Sequence, residues 1–260
     1  MASIWRIRRA VFAIATGVAI AISALLVPIA VGALSPAQAQ ISEDAQIALE
    51  QYGVWRPHPR FGNVWVPAGV PPDWRPYEYG RWVYTDDWGW YWASDDVEAN
   101  WGWVVYHYGR WAFERGFGWF WVPGNRWAPA WVSWRSSNDY LAWAPLPPAY
   151  DEGVSIEVNA REVPDYYWQV VPNRDFLSDD LPRRIVRDKD RFNPILRETQ
   201  PLGNVTITNN NVVVNKVVNV NYIEQKTNER VVVHRVERAK DEKTAGKLQG
   251  DSIEIFQPAA

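Results

Sequence analysis

An aromatic pattern that occurs three times in the first half of the chain constrains the fold more than any other feature. Each copy opens with Tyr-Gly-x-Trp, has a glycine seven residues after this tryptophan, and has a second tryptophan three residues later. The opening tryptophans are Trp55, Trp82 and Trp111, so the periods are 27 and 29 residues. Repeats of this length are typical of supersecondary units that pack against one another. The sequence therefore predicts at least three equivalent units.

Within each unit the aromatic residues recur at every second position, which predicts β-strands, because alternate side chains of a strand lie on the same face. Each unit is therefore predicted to be one antiparallel hairpin. Trp131, Trp134 and Trp143 repeat the pattern less regularly and predict a fourth hairpin.

The loops of the second and third hairpins are predicted to have three residues and to end at Asp87 and Gly116, in the left-handed conformation. This loop fixes which residues face each other across the two strands. The predicted pairs on one face are Trp82 with Trp90, Trp111 with Trp119, Gly80 with Trp92 and Gly109 with Trp121. On the other face, Arg81 meets Tyr91 and Arg110 meets Phe120, which predicts two cation–π contacts.

The composition changes near residues 148–153, after a proline cluster that closes the Trp-rich half. We predict a mainly β fold, with an antiparallel meander of three to four Trp-rich hairpins in residues 40–150. A partly helical connector is predicted at 151–200 and a small α+β region at 201–260. In detail, we expect a helix from Phe176 to about Arg197, capped by Ser178 or Asp179 and broken near Pro194. Strands are predicted at 205–220, 231–233 and 252–256, with a short helix from Asn221 to Asn228.

The first 39 residues have the order of a secretory signal peptide. Arg6, Arg8 and Arg9 precede an apolar stretch over residues 10–34, and Ala37-Gln38-Ala39 supplies small residues for cleavage. An uncleaved stretch is long enough to anchor the chain in a membrane, which would be its only membrane contact. The prediction is an exported protein of the periplasm or the bacterial cell surface.

Several function classes are disfavoured by composition. The chain has no cysteine and three histidines, which excludes disulfide frameworks and thiol nucleophiles and leaves little basis for a metal site. A net charge of −3 gives no reason to expect nucleic acid as a partner. We predict no metal and no cofactor.

The candidate catalytic groups also have simpler interpretations. The pairs Asp86-Asp87 and Asp95-Asp96 fall at opposite ends of a predicted hairpin, too far apart for a glycosidase pair. Asp95, Asp96 and Glu98 do not have the spacing of a calcium loop. His107 alternates with tyrosines as a strand residue does, and no catalytic serine motif is present. The sequence therefore predicts no catalytic residues and a protein that is not an enzyme.

Longer motifs resemble a known family. These are GRWVYT with WGWYWAS (residues 80–94), YHYGRW (106–111), PAWVSWR (129–135) and AWAPLPP (142–148). Together with later matches they make the segment from about 50 to 236 similar to a Trp-rich bacterial envelope family of unassigned function. The resemblance implies an exported protein with a signal peptide, and it implies neither catalytic residues nor a cofactor.

The aromatic residues are the remaining functional candidates. Tryptophans shared by all copies are interpreted as scaffold, whereas Trp101 and Trp127 break the repeat and are candidate ligand-binding residues, together with Tyr91 and Phe120. The predicted function is a non-catalytic structural or binding protein of the cell envelope, whose partner is an envelope polysaccharide or another envelope protein. Two alternatives stay open: a glycan-binding module that uses exposed tryptophans, and a carboxylate-dependent hydrolase.

Overall fold

The computed structural model describes residues 43–148, 163–208, 212–241 and 244–256. They belong to the larger of two compact units, Ser35–Ala260. The signal peptide predicted at residues 1–39 and most of the boundary predicted at 148–153 lie outside the described residues and stay predictions. Within the described ranges, no helix is long and apolar enough to cross a membrane.

The fold is mainly β, as the alternation predicts, and the four Trp-rich hairpins are confirmed. The first two are β1 (Gly53–His58) with β2 (Gly62–Pro67), and β3 (Gly80–Thr85) with β4 (Gly89–Ser94). The other two are β5 (Arg110–Glu114) with β6 (Gly118–Val122), and β7 (Val132–Ser136) with β8 (Tyr140–Pro145). Helix α1 (Glu43–Glu50) precedes the first hairpin, and α2 (Ala99–Val105) lies between the second and the third.

The C-terminal half is a mixture of short strands and helices, as predicted. Its elements are β9 (Gln169–Pro172), α3 (Lys189–Glu198), β10 (Gln200–Asn204), β11 (Thr206–Ile207), β12 (Val213–Val214), α4 (Val220–Thr227), β13 (Val233–Arg238), β14 (Leu248–Gln249) and β15 (Ser252–Ile255).

Consecutive hairpins do not lie side by side in one sheet. The first and third hairpins form one sheet in the order β1-β2-β6-β5, joined at Trp65 and Trp121. The second hairpin belongs to the sheet β14-β15-β13-β3-β4, and the fourth to the sheet β10-β7-β8-β9. Strands from the C-terminal half therefore complete two of the Trp-rich sheets, and the change in composition does not separate two independent folds.

The predicted register within the hairpins is wrong by two residues. Trp82 faces Trp92, and Trp111 faces Trp121. The loops do have three residues, but they start one residue later than predicted. Gly116 has a positive φ of +89°, as predicted, whereas Asp87 is not left-handed. The second repeat glycine is left-handed in both hairpins, with φ of +80° at Gly89 and +73° at Gly118. Because a shift of two keeps every side chain on its face, Trp82 and Trp90 still share a face as diagonal neighbours.

In each repeat, the second tryptophan lies directly over the first glycine. A Cβ atom added to Gly80 would come within 2.8 Å of the Trp92 ring, and one added to Gly53 within 2.5 Å of the Trp65 ring. At Gly109 the same atom would lie 2.8 Å from the indole nitrogen of Trp121. Side-chain atoms do not approach this closely, so the packing requires glycine. This contact explains why the Gly and Trp positions recur together.

The fourth hairpin has Asn138 and Asp139 in its loop instead of glycine. The hydroxyl of Ser137 accepts a hydrogen bond from the main-chain N–H of Tyr140 at 3.2 Å. Asn173, from the C-terminal half, donates through its side-chain amide to the carbonyl of Asn138 at 2.9 Å. Side-chain hydrogen bonds thus hold this turn without a left-handed residue.

The predicted helix from Phe176 to Arg197 is wrong in its first half. Of the residues from 176 to 188, only Leu181–Arg183 are helical, and they form a single 3-10 turn. Helix α3 starts after Asp188, whose carboxylate accepts from the N–H of Asp190, and Pro194 lies inside the helix. Ser178 and Asp179 therefore cap no α-helix.

The other C-terminal boundaries agree in part. Strand structure in 205–220 is limited to β11 and β12 among the described residues, and the strand predicted at 231–233 starts at Val233. Helix α4 is capped by Asn219 instead of starting at Asn221, and it ends as predicted at Asn228, which is left-handed. The final strand at Ser252–Ile255 is confirmed.

Aromatic residues make up about half of one large core. Trp111 is typical: its ring centroid lies 5.3 Å from that of Trp74 and 6.2 Å from that of Trp65, and its N–H donates to the carbonyl of Val105. The opposite hairpin faces form smaller clusters, one in which Tyr91 packs with residues of β15 and one in which Phe120 packs with Val64 of β2.

Replacing Trp111 with alanine should lower the free energy of unfolding by about 3–5 kcal/mol, because the cavity removes several ring contacts and orphans the Val105 carbonyl. Asp86→Asn is the matched control from a loop: the residue is exposed, and its change should stay within about 0.5 kcal/mol. Urea denaturation followed by circular dichroism measures both values. Equal stabilities for the two variants would contradict the scaffold role of the repeat tryptophans.

Candidate functional site

The tryptophans of the described residues lie inside the protein. None of them is exposed, and only three are half-buried: Trp55, Trp88 and Trp127. The sheets therefore do not present a row of open indoles of the kind that stacks on sugars. Most tryptophans act as core residues whose N–H groups donate to nearby carbonyl groups, as Trp143 does to Tyr77.

Three of the four predicted ligand-binding residues are buried. Trp101 is 5% exposed and packs against Trp65 and Trp74 from helix α2. Phe120 is fully buried and stacks on His58, with 5.0 Å between ring centroids. These two side chains lie in separate clusters, so the structure does not bring the predicted set together as one ligand surface.

Tyr91 and Trp127 do come together, because each stacks on His107. The His107 ring stacks on Tyr91 at 4.4 Å with an interplanar angle of 11°, and it also stacks on Trp127 at 5.9 Å and 16°. Trp127 in turn contacts Trp88 at 4.4 Å. The predicted residues Tyr91 and Trp127 thus belong to an aromatic stack that reaches the surface at its two half-buried tryptophans.

The His107 imidazole is a structural part of this stack. Its Nδ1–H donates to the carbonyl of Ala128 at 2.9 Å. Burial lowers the pKa of His107 to about 4, since a charged ring would lose its hydration there. The ring is therefore neutral at neutral pH and fixes the connector between β6 and β7, residues 123–131, against the second hairpin.

Arg110 occupies an unexpected place beneath the same connector. The register puts Ala112, not Arg110, opposite Phe120, and Val83, not Arg81, opposite Tyr91, so the two predicted strand pairs do not form.

The Arg110 guanidinium lies over the Trp131 ring, 3.6 Å from its centroid. It is 3% exposed, and burial lowers its pKa to about 9, with the nearby Arg126 acting in the same direction.

A buried carboxyl group, Glu98, lies at the start of helix α2. Its two oxygens accept from the Trp74 N–H and from the Tyr106 hydroxyl. The pKa of Glu98 is raised to about 8, mainly by burial, and the neighbouring Glu78 carboxylate acts in the same direction. Both hydrogen bonds act in the opposite direction. The carboxyl is therefore protonated through much of the neutral range.

Glu78 and Glu98 are the two buried acids of the described core, yet neither faces an open cleft. One oxygen of Glu78 pairs with Arg187 and the other accepts from the main-chain N–H of Arg75. All four carboxyl oxygens are thus used within the protein. Among the described residues, no group of three or more His, Cys, Asp or Glu side chains is placed to hold a metal ion.

The sequence contained weak signals for these groups. Arg110 has the same position in its repeat as Arg81, so the sequence does not distinguish the buried arginine from its half-buried counterpart. In the sequence, Glu98 lies close to Asp95 and Asp96, so these three residues look like an acidic cluster exposed to solvent. Its position three residues before Trp101 is an indication of burial, since helical spacing places these two side chains beside each other.

The described residues define a mainly β protein in which four Trp-rich hairpins enclose an aromatic core. Residues 46–150, which contain all four hairpins, match the model of a family described as a family of unknown function (DUF6600). Searches of the curated proteins and of the solved structures found no match.

Glu98 should make stability depend on pH. A group whose pKa is about 8 in the folded protein and about 4.5 unfolded stabilises the fold at low pH, and this contribution is lost as pH rises through that window. The loss is on the order of 3–5 kcal/mol for an isolated group. We expect Glu98→Gln to flatten the fall in stability between about pH 4.5 and 8, measured by urea denaturation at several pH values.

His107 supplies a control of opposite sign. Its lowered pKa stabilises the fold above pH 6.5, and this contribution is lost as pH falls through about 4. A His107→Gln variant should therefore change the loss of stability below about pH 6.5. It should keep the fall in stability with rising pH that is attributed to Glu98. If Glu98→Gln has the same pH profile as the wild type, the assigned burial of this carboxyl is wrong.

Proposed function

We propose that this protein is a non-catalytic structural or binding protein of the bacterial cell envelope, exported by the segment at residues 1–39. The signal-peptide pattern and the envelope-family motifs support export. The proposal is carried mainly by the way the core uses its reactive groups: Glu78, Glu98 and His107 each bond to protein atoms in the interior. In this arrangement they act as parts of the scaffold.

The main alternative is a glycan-binding module. One observation supports it: Trp88 and Trp127 are half-buried neighbours at the outer end of the His107 stack. A sugar ring could stack there without displacing the core. The remaining tryptophans of the described residues offer less, since apart from Trp55 they are buried.

The second alternative, a carboxylate-dependent hydrolase, has a testable candidate pair in Glu78 and Glu98. Hydrolysis requires one carboxylic acid and one carboxylate on either side of a bound substrate. Here both groups are buried and their oxygens are bonded to Arg187, Arg75, Trp74 and Tyr106. The geometry supports a structural role for the pair.

Export predicts a defined mature chain. Because Ala37 and Ala39 supply the small residues before the cleavage site, the protein recovered from a bacterial periplasmic fraction should begin at Gln40. Intact-mass measurement decides this. A recovered chain that retains residues 1–39 would instead be membrane-anchored, and a chain found only in the cytoplasm would contradict export.

The non-catalytic proposal predicts no turnover of envelope glycans. Purified protein incubated with peptidoglycan or exopolysaccharide should release no more reducing ends than buffer does. If release is observed, is lost in Glu98→Gln and persists in the surface variant Asp86→Asn, the protein is a hydrolase. A blue shift of tryptophan emission with neutral oligosaccharides, lost in Trp127→Phe and kept in Trp55→Phe, would establish the glycan-binding alternative.

A further inference from the structure

Arg110 has an unused hydrogen-bonding edge. Its Nη1 donates to the carbonyl of Gly109 at 2.8 Å, whereas its Nε and Nη2 have no hydrogen-bond partner among the residues that the structure describes and are covered from solvent. Nε and Nη2 lie on the same side of the guanidinium and form the fork that binds two oxygens at once. The edge of Arg110 best suited to a carboxylate is therefore the one left without a partner.

A buried arginine in this state is unusual. Buried charges in proteins are normally paired, because removal from water is costly unless an opposite charge or several hydrogen bonds replace the lost hydration. Within the described residues Arg110 forms no salt bridge, and its contacts are the Trp131 face and one carbonyl. Two neighbours affect its pKa: the Tyr77 hydroxyl, which is neutral at neutral pH, and Arg126, a second cation. Two cations, Arg110 and Arg126, therefore lie near each other, and Arg110 has no anionic partner among the described residues.

The surroundings hold Arg110 in one orientation. Trp131 supports the guanidinium from one face. The indole N–H of Trp131 donates to the carbonyl of His107 at 3.1 Å, which fixes the ring. Gly124 packs against Gly109 so closely that an added Cβ would lie 2.7 Å from the Gly109 Cα atom. The guanidinium is thus preorganised by contacts at both ends of the connector.

The geometry points to a binding site for a ligand carboxylate at the Nε–Nη2 edge of Arg110, beneath residues 123–131. A carboxylate fits because it is planar, presents two oxygens to the fork and carries one negative charge, which neutralises the buried cation. Arg126 would contact the same anion from the half-buried side of the connector. This site goes beyond the proposed function and does not depend on it.

Access to the site is through the connector itself. The unused edge is covered in this structure, while Asn125 is exposed and Arg126 and Trp127 are half-buried above it. A bound carboxylate therefore requires these side chains to move away from the edge. Trp127 also brings an aromatic face to the entrance, so the carboxylate of an acidic sugar and that of a small organic acid are both suitable sources.

The test measures thermal unfolding of the mature protein with added anions at constant ionic strength. Sodium acetate supplies the carboxylate alone, glucuronate supplies it on a sugar, glucose supplies the sugar alone, and inorganic phosphate supplies a different oxyanion. We expect a saturable rise in Tm with acetate or glucuronate, of roughly 5 °C at a 100-fold excess over Kd, and none with glucose. A larger affinity for glucuronate than for acetate identifies an acidic sugar as the source.

Variants assign the effect to Arg110. Arg110→Lys keeps the charge but removes the fork, and it should abolish the rise in Tm. Arg81→Lys is the matched control, because Arg81 has the same repeat position and is half-buried, and it should retain the rise. Arg126→Gln changes a half-buried side chain and should weaken binding at least several-fold while folding normally, so it decides the question if Arg110→Lys does not fold.

A direct signal comes from protein labelled with ¹⁵N-arginine. The Nε–H resonance of Arg110 should move on addition of acetate or glucuronate, whereas that of Arg81 should not. If no carboxylate raises Tm or moves this resonance, or if Arg126→Gln and the wild type respond equally, the site does not exist. A response to phosphate alone would also overturn the assignment of a carboxylate.

Discussion

The contact between an indole and a strand glycine organises the Trp-rich half of the protein. In each of the first three hairpins the second tryptophan covers the first glycine, as Trp92 covers Gly80. The glycine allows the ring to lie against the main chain, and the ring excludes water from hydrogen bonds that a glycine would leave open. The rest of the hairpin follows from this contact, because it fixes which face carries the large rings and where the next strand must lie. Without cysteine, the protein depends on such packing for its stability.

The same rings also specify the packing of the C-terminal half. A buried indole needs an acceptor for its N–H group, and the acceptors here come from distant segments. Trp90 donates to the carbonyl of Val218, and Trp134 donates to the side chain of Asn215, whose amide donates in turn to the carbonyl of Trp90. Asn215 is thereby held between the second and fourth hairpins. A segment that looks ordinary in composition is therefore an integral part of the aromatic core.

The sequence predicts local structure well here and long-range pairing poorly. Alternation of the aromatic residues is enough to predict the hairpins, the loop length and the face of each side chain, because all three depend on neighbouring residues. The register is missed because two positions of each loop can be left-handed, and the local residues do not choose between them. At Gly89 a distant segment adds a constraint, because the carbonyl of Asn215 lies where a side chain would be. The same reason applies to Tyr91 and Phe120: their face was predicted, but their burial depends on β15 and β2, which the repeat does not specify.

Three of the buried ionisable groups, Glu98, His107 and Arg110, differ in one decisive respect. Glu98 is neutral through much of the neutral range and receives two hydrogen bonds, and His107 is neutral and donates one. For both, loss of the charge removes most of the cost of burial. Arg110 keeps its charge at neutral pH even with a lowered pKa of about 9, and the interior supplies one carbonyl for five N–H donors. The core therefore buries Glu98 and His107 in neutral form, whereas it buries Arg110 as a cation with one hydrogen bond. This arrangement of Arg110 lowers the stability of the fold. Such a cost is expected where the missing partner is supplied by a ligand.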